Sequence, residues 1–185
     1  MSKPFVIGIA GGSASGKSTL CQRLESALVG CKVITFHMDN YFRPKDQRPF
    51  VAAPITKIKY MDDNHPATMD LAKLREDLSA AVESALTDII IVEGLLTLYD
   101  DDICQMLDLK LYVECRADER IVRRLKRNMA TRGLTFDEIS NVYLDMVRYR
   151  HDEYVEASKW KADLIINGSM FSEKGLEVIL RAILT

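Results

Sequence analysis

The 185-residue sequence has no apolar run of the roughly 18 residues that a membrane span requires. Its net charge is also small, because 25 Lys and Arg residues stand against 27 Asp and Glu residues, which leaves −2 at pH 7. Proteins that bind nucleic acids are usually strongly basic, so this balance argues against that class. The first predicted strand starts close to the amino terminus and leaves no room for a signal peptide. We therefore expect a cytoplasmic protein without a membrane or nucleic-acid partner.

Cysteine is scarce, and the four residues show no CxxC or Cys/His spacing of the kind that indicates a metal site. They are Cys21, Cys31, Cys104 and Cys115. Apolar neighbours in predicted elements flank most of them, so we expect reduced, buried, structural thiols. No internal repeat or low-complexity segment divides the chain. Its length suits one domain over residues 1–185.

Residues 11–18 read GGSASGKS and fit the P-loop pattern of Gly, any four residues, Gly, Lys and Ser or Thr. Glycines let the backbone curl around a phosphate, and the following helix turns its positive end to the same anion. Lys17 should reach the β- and γ-phosphates, and Ser18 should ligate Mg²⁺. An apolar strand at 5–10 and helical spacing after the loop supply the context that the motif requires. The expected nucleotide-binding residues here are Gly11, Ser13, Ala14, Ser15, Gly16, Lys17, Ser18 and Thr19.

Predicted strands and helices alternate along the rest of the chain. Apolar runs predict strands at 33–37, 88–92, 109–113 and 162–166, and helical spacing predicts helices at 71–85, near 103–107, at 118–131, after Thr135 and after Ser172. This alternation predicts an α/β P-loop NTPase fold, a five-stranded parallel sheet with helices on both faces and a helical lid. Residues 38–66 are rich in Pro, Asp and Lys without clean periodicity, and we interpret them as a functional loop for the acceptor.

Two carboxylates directly follow predicted strands, so they should meet the P-loop at the carboxyl edge of the sheet. Asp39 is the candidate to accept the proton of an acceptor hydroxyl; its alternative role is that of a turn residue in Asp-Asn. Glu93 ends an apolar run, where a lone carboxylate is costly, and a Mg²⁺ shell would give it a partner. The alternative for Glu93 is a hydrogen bond to backbone at the strand end.

Five arginines fall on one face of the helix predicted at 118–131. They are Arg116, Arg120, Arg123, Arg124 and Arg127, and the apolar residues opposite are Ile121, Val122, Leu125 and Met129. A solvated outer face is the commonest role of such a stripe. Arginine is used almost exclusively, however, and it binds phosphate oxygens bidentately. We therefore predict a lid over about 116–134 that hinges after the helix and brings arginines to the transferring phosphoryl group. We interpret His37 and His151 as structural.

Six segments hold most of these residues, and they are 8–18 (GIAGGSASGKS), 39–42 (DNYF), 65–66 (HP), 92–94 (VEG), 117–124 (ADERIVRR) and 161–166 (KADLII). Together they resemble the uridine kinase family of P-loop nucleoside kinases over nearly the whole chain. The resemblance implies transfer of a phosphoryl group from ATP or GTP, with Mg²⁺, to a nucleoside 5′-hydroxyl. It implies that Asp39 is the catalytic aspartate and that Ser18 and Glu93 hold the metal. It also implies that Arg124 and Arg127 are lid arginines, with Arg127 at the nucleotide.

The chain departs from that family around the acceptor. Residues 64–66 read Asn-His-Pro instead of Asp-His-Pro, whose aspartate grips the ribose hydroxyls, although Asp63 precedes them. Leu134 stands where the family lid often has a basic residue. Uridine kinases carry a hairpin that holds the pyrimidine, but here the helix through Leu86 passes straight into the strand at 88–92. Nicotinamide riboside kinases are also short at this point, and 147–150 (VRYR) resembles them somewhat more.

These departures leave the identity of the acceptor open. The substrate-binding candidates are Asp39, Tyr41, Asp63, Asn64, His65 and Arg124, with Tyr41, Phe42 and Tyr60 as candidates to stack on a base. Uridine or cytidine is the first hypothesis, nicotinamide riboside the second, and another small molecule such as pantothenate or a sugar phosphate the third. The competing class is a regulatory P-loop NTPase without an acceptor, which would have no use for Asp39 or an arginine lid.

Overall fold

The computed structural model describes residues 3–184, whose strands and helices alternate as predicted. The strands are β1 (Phe5–Gly11), β2 (Val33–His37), β3 (Phe50–Ala52), β4 (Lys59–Met61), β5 (Ile89–Glu93), β6 (Leu109–Glu114) and β7 (Leu164–Asn167). The α-helices are α1 (Lys17–Ala27), α2 (Leu71–Ser84), α3 (Asp101–Met106), α4 (Ala117–Arg132), α5 (Phe136–Val142), α6 (Arg148–Arg150) and α7 (Glu173–Leu184).

Five strands form one parallel sheet in the order β2-β5-β1-β6-β7. This confirms the predicted five-stranded sheet with helices on both faces. Because β5 lies between β2 and β1, the carboxyl ends of three neighbouring strands meet at one edge. The P-loop follows β1, and Asp39 and Glu93 stand at the ends of the other two. The topology therefore gathers the predicted site residues.

The core has two layers, one on each face of the sheet. On one face, Val6 and Ile90 pack with Leu74 of α2, and on the other Ile7 packs with Leu24 of α1. All five residues of β5 are buried, as its continuous apolar run predicts for a central parallel strand. Burial on both faces fixes the height of Glu93 at the edge of the sheet.

The segment 38–66 is more ordered than its sequence suggests. It contains an antiparallel hairpin of β3 and β4, with Phe50 paired to Met61. The hydroxyl groups of Thr56 and Tyr60 both donate to Asp145 Oδ2, over 3.0 and 2.8 Å. Strands of three residues are too short to produce a periodic signal, so these two strands could not be predicted from the residue pattern.

A nearly continuous helical run follows the lid and begins at the predicted capping box of Thr135 and Glu138. It changes from α5 to a π-helical turn (Tyr143–Val147), α6, a second π-helical segment (His151–Glu156) and a 3₁₀ turn (Ala157–Lys161). π-Helical turns often occur at functional sites. Here Val147 and His151, one from each π-helical segment, line a recess together with Ser13 of the P-loop.

The thiols follow the expectation only in part. Cys21 and Cys115 are buried, whereas Cys31, in the turn after α1, and Cys104, on the short α3, are half-buried, and all four are free. The expectation of burial is therefore wrong for Cys31 and Cys104, because one lies in the turn that follows a helix and the other lies on a short helix. Within residues 3–184, no helix combines the length and the apolar character that crossing a membrane takes.

Candidate active site

The P-loop has the backbone conformation of a phosphate cradle. Gly11 and Gly16 have φ values of +145° and +106°, and Ala14 has a φ of +65°. A Cβ atom on Gly11 would lie 2.4 Å from the carbonyl oxygen of Val113, so this position tolerates no side chain. The loop ends at the amino terminus of the 11-residue helix α1, whose free N–H groups and dipole favour an anion. The geometry fits a phosphate group.

Lys17 is held at the mouth of this loop. Its ammonium group donates to the carbonyl oxygen of Gly12 over 3.3 Å and lies 4.0 Å from Glu93 Oε1. Burial lowers the pKa of Lys17, while the negative charges of Glu93 and Asp39 act in the opposite direction. A compact cation thus stands next to the cradle.

Glu93 is the centre of a second cluster. The Ser18 hydroxyl donates to its Oε1 over 3.1 Å, and His37 Nδ1 lies 3.2 Å from its Oε2. Glu93 is buried, and the β2–β5 register places His37 directly beside it. Within residues 3–184, no group of three or more His, Cys, Asp or Glu could hold a metal alone. A hydroxyl and one carboxylate nevertheless fit Mg²⁺, which takes one or two protein oxygens and completes its shell with water and phosphate.

Asp39 lies on the 3₁₀ turn (Met38–Tyr41) that follows β2. Met38 is fully buried, and a Cβ atom on Gly94 would lie 2.3 Å from its Cβ, so these backbones pack in direct contact. This contact locks the ends of β2 and β5 together and places Asp39 over the sheet edge. In the part of the chain that the structure describes, the Asp39 carboxylate has no hydrogen bond or ion pair of its own, and it faces the cleft. The carboxylate is therefore available to a ligand in the cleft.

Helix α4 places part of its arginine stripe over the P-loop. Arg124 Nη1 and Arg127 Nη2 both donate to Ser13 Oγ, over 3.0 and 3.2 Å. Arg120 is buried, and its Nε donates to the carbonyl oxygen of Cys115 over 3.0 Å. Among the residues expected on the opposite, apolar face, Val122 is 49% exposed. The helix therefore buries part of its charged face, because that face lies over the loop.

Burial, together with the neighbouring Arg127 and Arg132, lowers the pKa of Arg124 to about 10. Burial and Arg132 also lower the pKa of Arg127. Cations gathered in this way repel one another unless an anion lies among them. The cluster is the electrostatic counterpart of the cradle, and it fits the phosphates of a nucleotide.

A cleft of about 330 Å³ joins these clusters. Nine of the candidate residues line it, and they are Ser13, Lys17, Ser18, Asp39, Asp63, Asn64, Glu93, Arg124 and Arg127. Gly11, Ala14, Ser15 and Gly16 shape the loop beneath it, and Thr19 follows on α1.

Two substrate-binding candidates lie off the cleft lining. The Tyr41 hydroxyl donates to Asp77 Oδ2 over 3.0 Å, and the residue faces a neighbouring depression. The His65 ring packs edge-on against Tyr154, and its Nδ1 accepts from the Ala67 backbone. The stacking candidate Tyr60 is engaged by Asp145, whereas Phe42 does line the cleft.

Five residues of the site were missed by sequence reasoning: His37, Arg48, Met69, Leu95 and Arg132. Arg48 Nη1 donates to Asp63 Oδ1 over 3.0 Å, and its guanidinium lies 4.5 Å from the centre of the Phe42 ring. Nothing in the aperiodic loop marks this arginine in advance. Leu95 could have been found, because it directly follows the 92–94 segment.

The model of the phosphoribulokinase/uridine kinase family matches residues 78–172. A uridine kinase of Deinococcus deserti is 33% identical over 205 aligned positions, which cover 99% of this chain and 97% of the relative. The chain belongs to the phosphoribulokinase/uridine kinase family. It is a phosphotransferase with an alcohol group as acceptor, and its P-loop is a nucleotide-binding one.

Two further comparisons agree with this placement. A uridine kinase of Clostridium tetani is 35% identical over 204 positions, which cover 96% of this chain and 93% of the relative. Among solved structures, a putative fructose transport system kinase from Silicibacter sp. TM1040 has a TM-score of 0.69 at 18% identity, over 89% of this chain and 90% of the other. At that identity, the structural likeness concerns the fold alone.

Proposed function

We propose that this member of the family is an ATP-dependent kinase that transfers the γ-phosphoryl group to the 5′-hydroxyl of a nucleoside such as uridine or cytidine. The observation that carries the proposal is the cleft of about 330 Å³, in which Asp39 shares one lining with Lys17, Ser18 and the lid arginines. An acceptor base and phosphate-binding cations in one cleft fit phosphoryl transfer to an alcohol. The relatives named uridine kinase support the choice of acceptor.

Each residue has a distinct task in this proposal. Asp39 accepts the proton of the attacking hydroxyl, and Lys17 neutralises charge on the phosphate that is transferred. Arg124 and Arg127 hold the phosphate oxygens from the lid side. Ser18 and Glu93 would hold Mg²⁺, which when bound neutralises phosphate charge. ATP and GTP both fit the cradle, since it contacts phosphates alone.

The proposal also assigns segments of the chain. Residues 1–185 form a single kinase domain, with an acceptor loop at about 38–66 and a lid at about 116–134. Asp63 and Asn64 would bind the ribose hydroxyls, and both line the cleft. Tyr41 and His65 remain candidates that support the acceptor loop from outside the cleft. The four free thiols suit the reducing cytoplasm.

Nicotinamide riboside is the second candidate acceptor. Only residues 85–88 connect α2 to β5, so no pyrimidine-holding hairpin is present there. The alignment with the D. deserti uridine kinase spans 205 positions, whereas this chain has 185 residues, so that relative has segments that this chain does not. The short connection between α2 and β5 therefore favours an acceptor that does not need a pyrimidine-holding hairpin.

The test is nucleotide consumption with and without acceptor. Purified protein is incubated with Mg²⁺ and ATP or GTP, alone and with uridine, cytidine, nicotinamide riboside or pantothenate, and phosphorylated product is measured. A kinase consumes the nucleotide in proportion to acceptor and forms a 5′-monophosphate. Hydrolysis that is the same in every arm would instead indicate an NTPase without acceptor and would contradict the proposal.

A further inference from the structure

A narrow recess adjoins the cleft on the side away from Mg²⁺-binding Glu93. It lies between α4 and the helical run after α5, and Leu95, Val147 and Val155 form its apolar walls. It shares Asn64 and Arg124 with the cleft, so the two spaces are continuous. A molecule whose sugar lies at Asp39 and Asn64 can therefore extend into the recess.

Two residues that line this recess each carry a buried polar atom without a hydrogen-bond partner. Within residues 3–184, five buried side-chain atoms lack a hydrogen bond, and two of them, Arg124 Nε and His151 Nδ1, belong to residues that line this one space. A buried polar atom without a partner costs about 1–3 kcal/mol, so such atoms usually indicate a water, an ion or a ligand. Their coincidence in one recess beside the acceptor cleft points to a ligand.

The hydrogen-bonding character of both atoms follows from their neighbours. Arg124 uses Nη1 on Ser13, which leaves Nε–H as a free donor. His151 Nε2 lies 3.5 Å from the carboxylate of Glu156, which favours the proton on Nε2 and leaves the lone pair of Nδ1 as an acceptor. Burial and then Arg120 lower the pKa of His151 to about 4, so the ring is neutral in the cell. The recess therefore offers one donor and one acceptor between apolar walls.

We propose that this recess receives the polar edge of the acceptor's base, with Arg124 Nε–H donating to a carbonyl or ring nitrogen and His151 Nδ1 accepting from the adjacent N–H. The inference rests on the proposed function and makes His151 a specificity-determining residue. It replaces the initial interpretation of His151 as purely structural.

The recess is large enough to receive only the polar edge of the base. Its free volume is about 10 Å³, which is room for about one water molecule, so the ring of the base must stay in the cleft. Every common nucleobase carries an acceptor next to an N–H donor on its Watson–Crick edge. One donor and one acceptor are thus sufficient to hold a base without choosing sharply among bases, which suits a chain that has no pyrimidine hairpin.

The experiment compares two acceptors across three variants. Uridine presents the N3–H and O4 pair, whereas 3-methyluridine has lost the donor at N3. In the unmodified protein, kcat/KM for uridine should exceed that for 3-methyluridine by at least about 10-fold, because a site that pairs a polar group rejects an analogue without it. In His151→Phe, kcat/KM for uridine should fall about 10-fold while that for 3-methyluridine changes little. His151→Asn, whose side-chain oxygen can take the place of Nδ1, should keep most of the preference.

Affinity for MgATP and the midpoint of thermal unfolding are measured for each variant, because His151 also contacts the P-loop near Gly12. Val29→Ala, just beyond the end of α1 and 88% exposed, is the control and should change neither the preference for uridine nor the affinity for MgATP. An unchanged uridine preference in His151→Phe, with or without a lower unfolding temperature, would show that the recess holds only a structural water and would overturn the inference. If the unmodified protein binds MgATP but phosphorylates no nucleoside, the proposed function falls, and the inference falls with it.

Discussion

Lys17 illustrates how a single residue is prepared for its task. Its ammonium group is buried, donates to the P-loop carbonyl of Gly12 and stands within 4.0 Å of Glu93. Lys17→Ala should lower turnover at least about 100-fold, because one preorganised charge contact in such a site is worth about 3 kcal/mol. The circular dichroism spectrum should stay the same. A variant with near-normal turnover and an intact spectrum would contradict the P-loop assignment.

Asp39 and Glu93 lie at the same edge of the sheet, but substitutions of the two residues should change different kinetic properties. Asp39→Asn keeps the size and removes the base, so kcat should fall far more than nucleotide affinity. Glu93→Gln leaves the Ser18 and His37 contacts with a weaker partner, so the Mg²⁺ concentration for half-maximal activity should rise. Titration of Mg²⁺ and of a fluorescent nucleotide measures both effects. Equal losses of nucleotide affinity in the two variants would mean that the roles are wrongly assigned.

His151 should make the protein sensitive to acid. The pKa of His151 is about 4 in the folded protein and about 6.5 in the unfolded chain. Between pH 6.5 and pH 4, His151 is therefore protonated in the unfolded chain but stays neutral in the folded protein. The free energy of unfolding should therefore decrease as the pH falls from about 6.5 to about 4, by at most about 3 kcal/mol. Burial is the main cause of the lowered pKa, Arg120 lowers it as well, and the carboxylates of Glu156 and Asp152 act in the opposite direction.

Urea unfolding of the unmodified protein and of His151→Asn at several pH values measures this contribution. The difference between the two proteins removes the effect of other titrating groups. Parallel curves from pH 7 to 4 would show that His151 does not contribute.

At the scale of elements, the sequence predicts what burial and spacing encode. The four apolar residues of β5, the capping box of α5 and the helical spacing of α7 all predict elements that the structure confirms. The β3–β4 hairpin could not be predicted, because its strands have three residues each and because it is held by contacts with Asp145, 85 or more residues away in sequence. The arginines of α4 predict its inward face correctly, but they do not predict their partners, because residue spacing cannot show contacts with Ser13 or with a backbone carbonyl.

The hairpin gives a prediction at this scale. Asp145→Ala removes the acceptor of both the Thr56 and the Tyr60 hydroxyl, so the hairpin should detach from the helical run. Limited proteolysis should then cut faster between residues 53 and 58. The KM of the acceptor should rise several-fold with little change in that of ATP. Tyr60→Phe, which removes one of the two bonds, should give an intermediate rate. Identical cleavage of all three proteins would show that other contacts hold the hairpin.

For the molecule as a whole, the question is how selective the acceptor site is. The connection of residues 85–88 leaves no pyrimidine hairpin, and the loop residues Phe42 and Arg48 line the cleft instead. Sugar binding can persist through Asp63 and Asn64 while the choice of base weakens. We expect broad base tolerance or a preference for a non-pyrimidine acceptor. The measurement is kcat/KM for uridine, cytidine, adenosine and nicotinamide riboside. A preference for the two pyrimidine nucleosides above about 10³-fold would mean that another segment supplies a pyrimidine pocket.

The order of strands in the sheet has a consequence for folding during synthesis on the ribosome. Strand β5 must enter between β1 and β2, and the lid arginines meet Ser13 across 111 and 114 residues of sequence. The P-loop is made first, yet its arginine partners leave the ribosome only after two thirds of the chain is translated. Non-local parallel pairing of this kind also slows folding. A nascent or refolding chain therefore regains helices early and gains the assembled nucleotide site among its last steps.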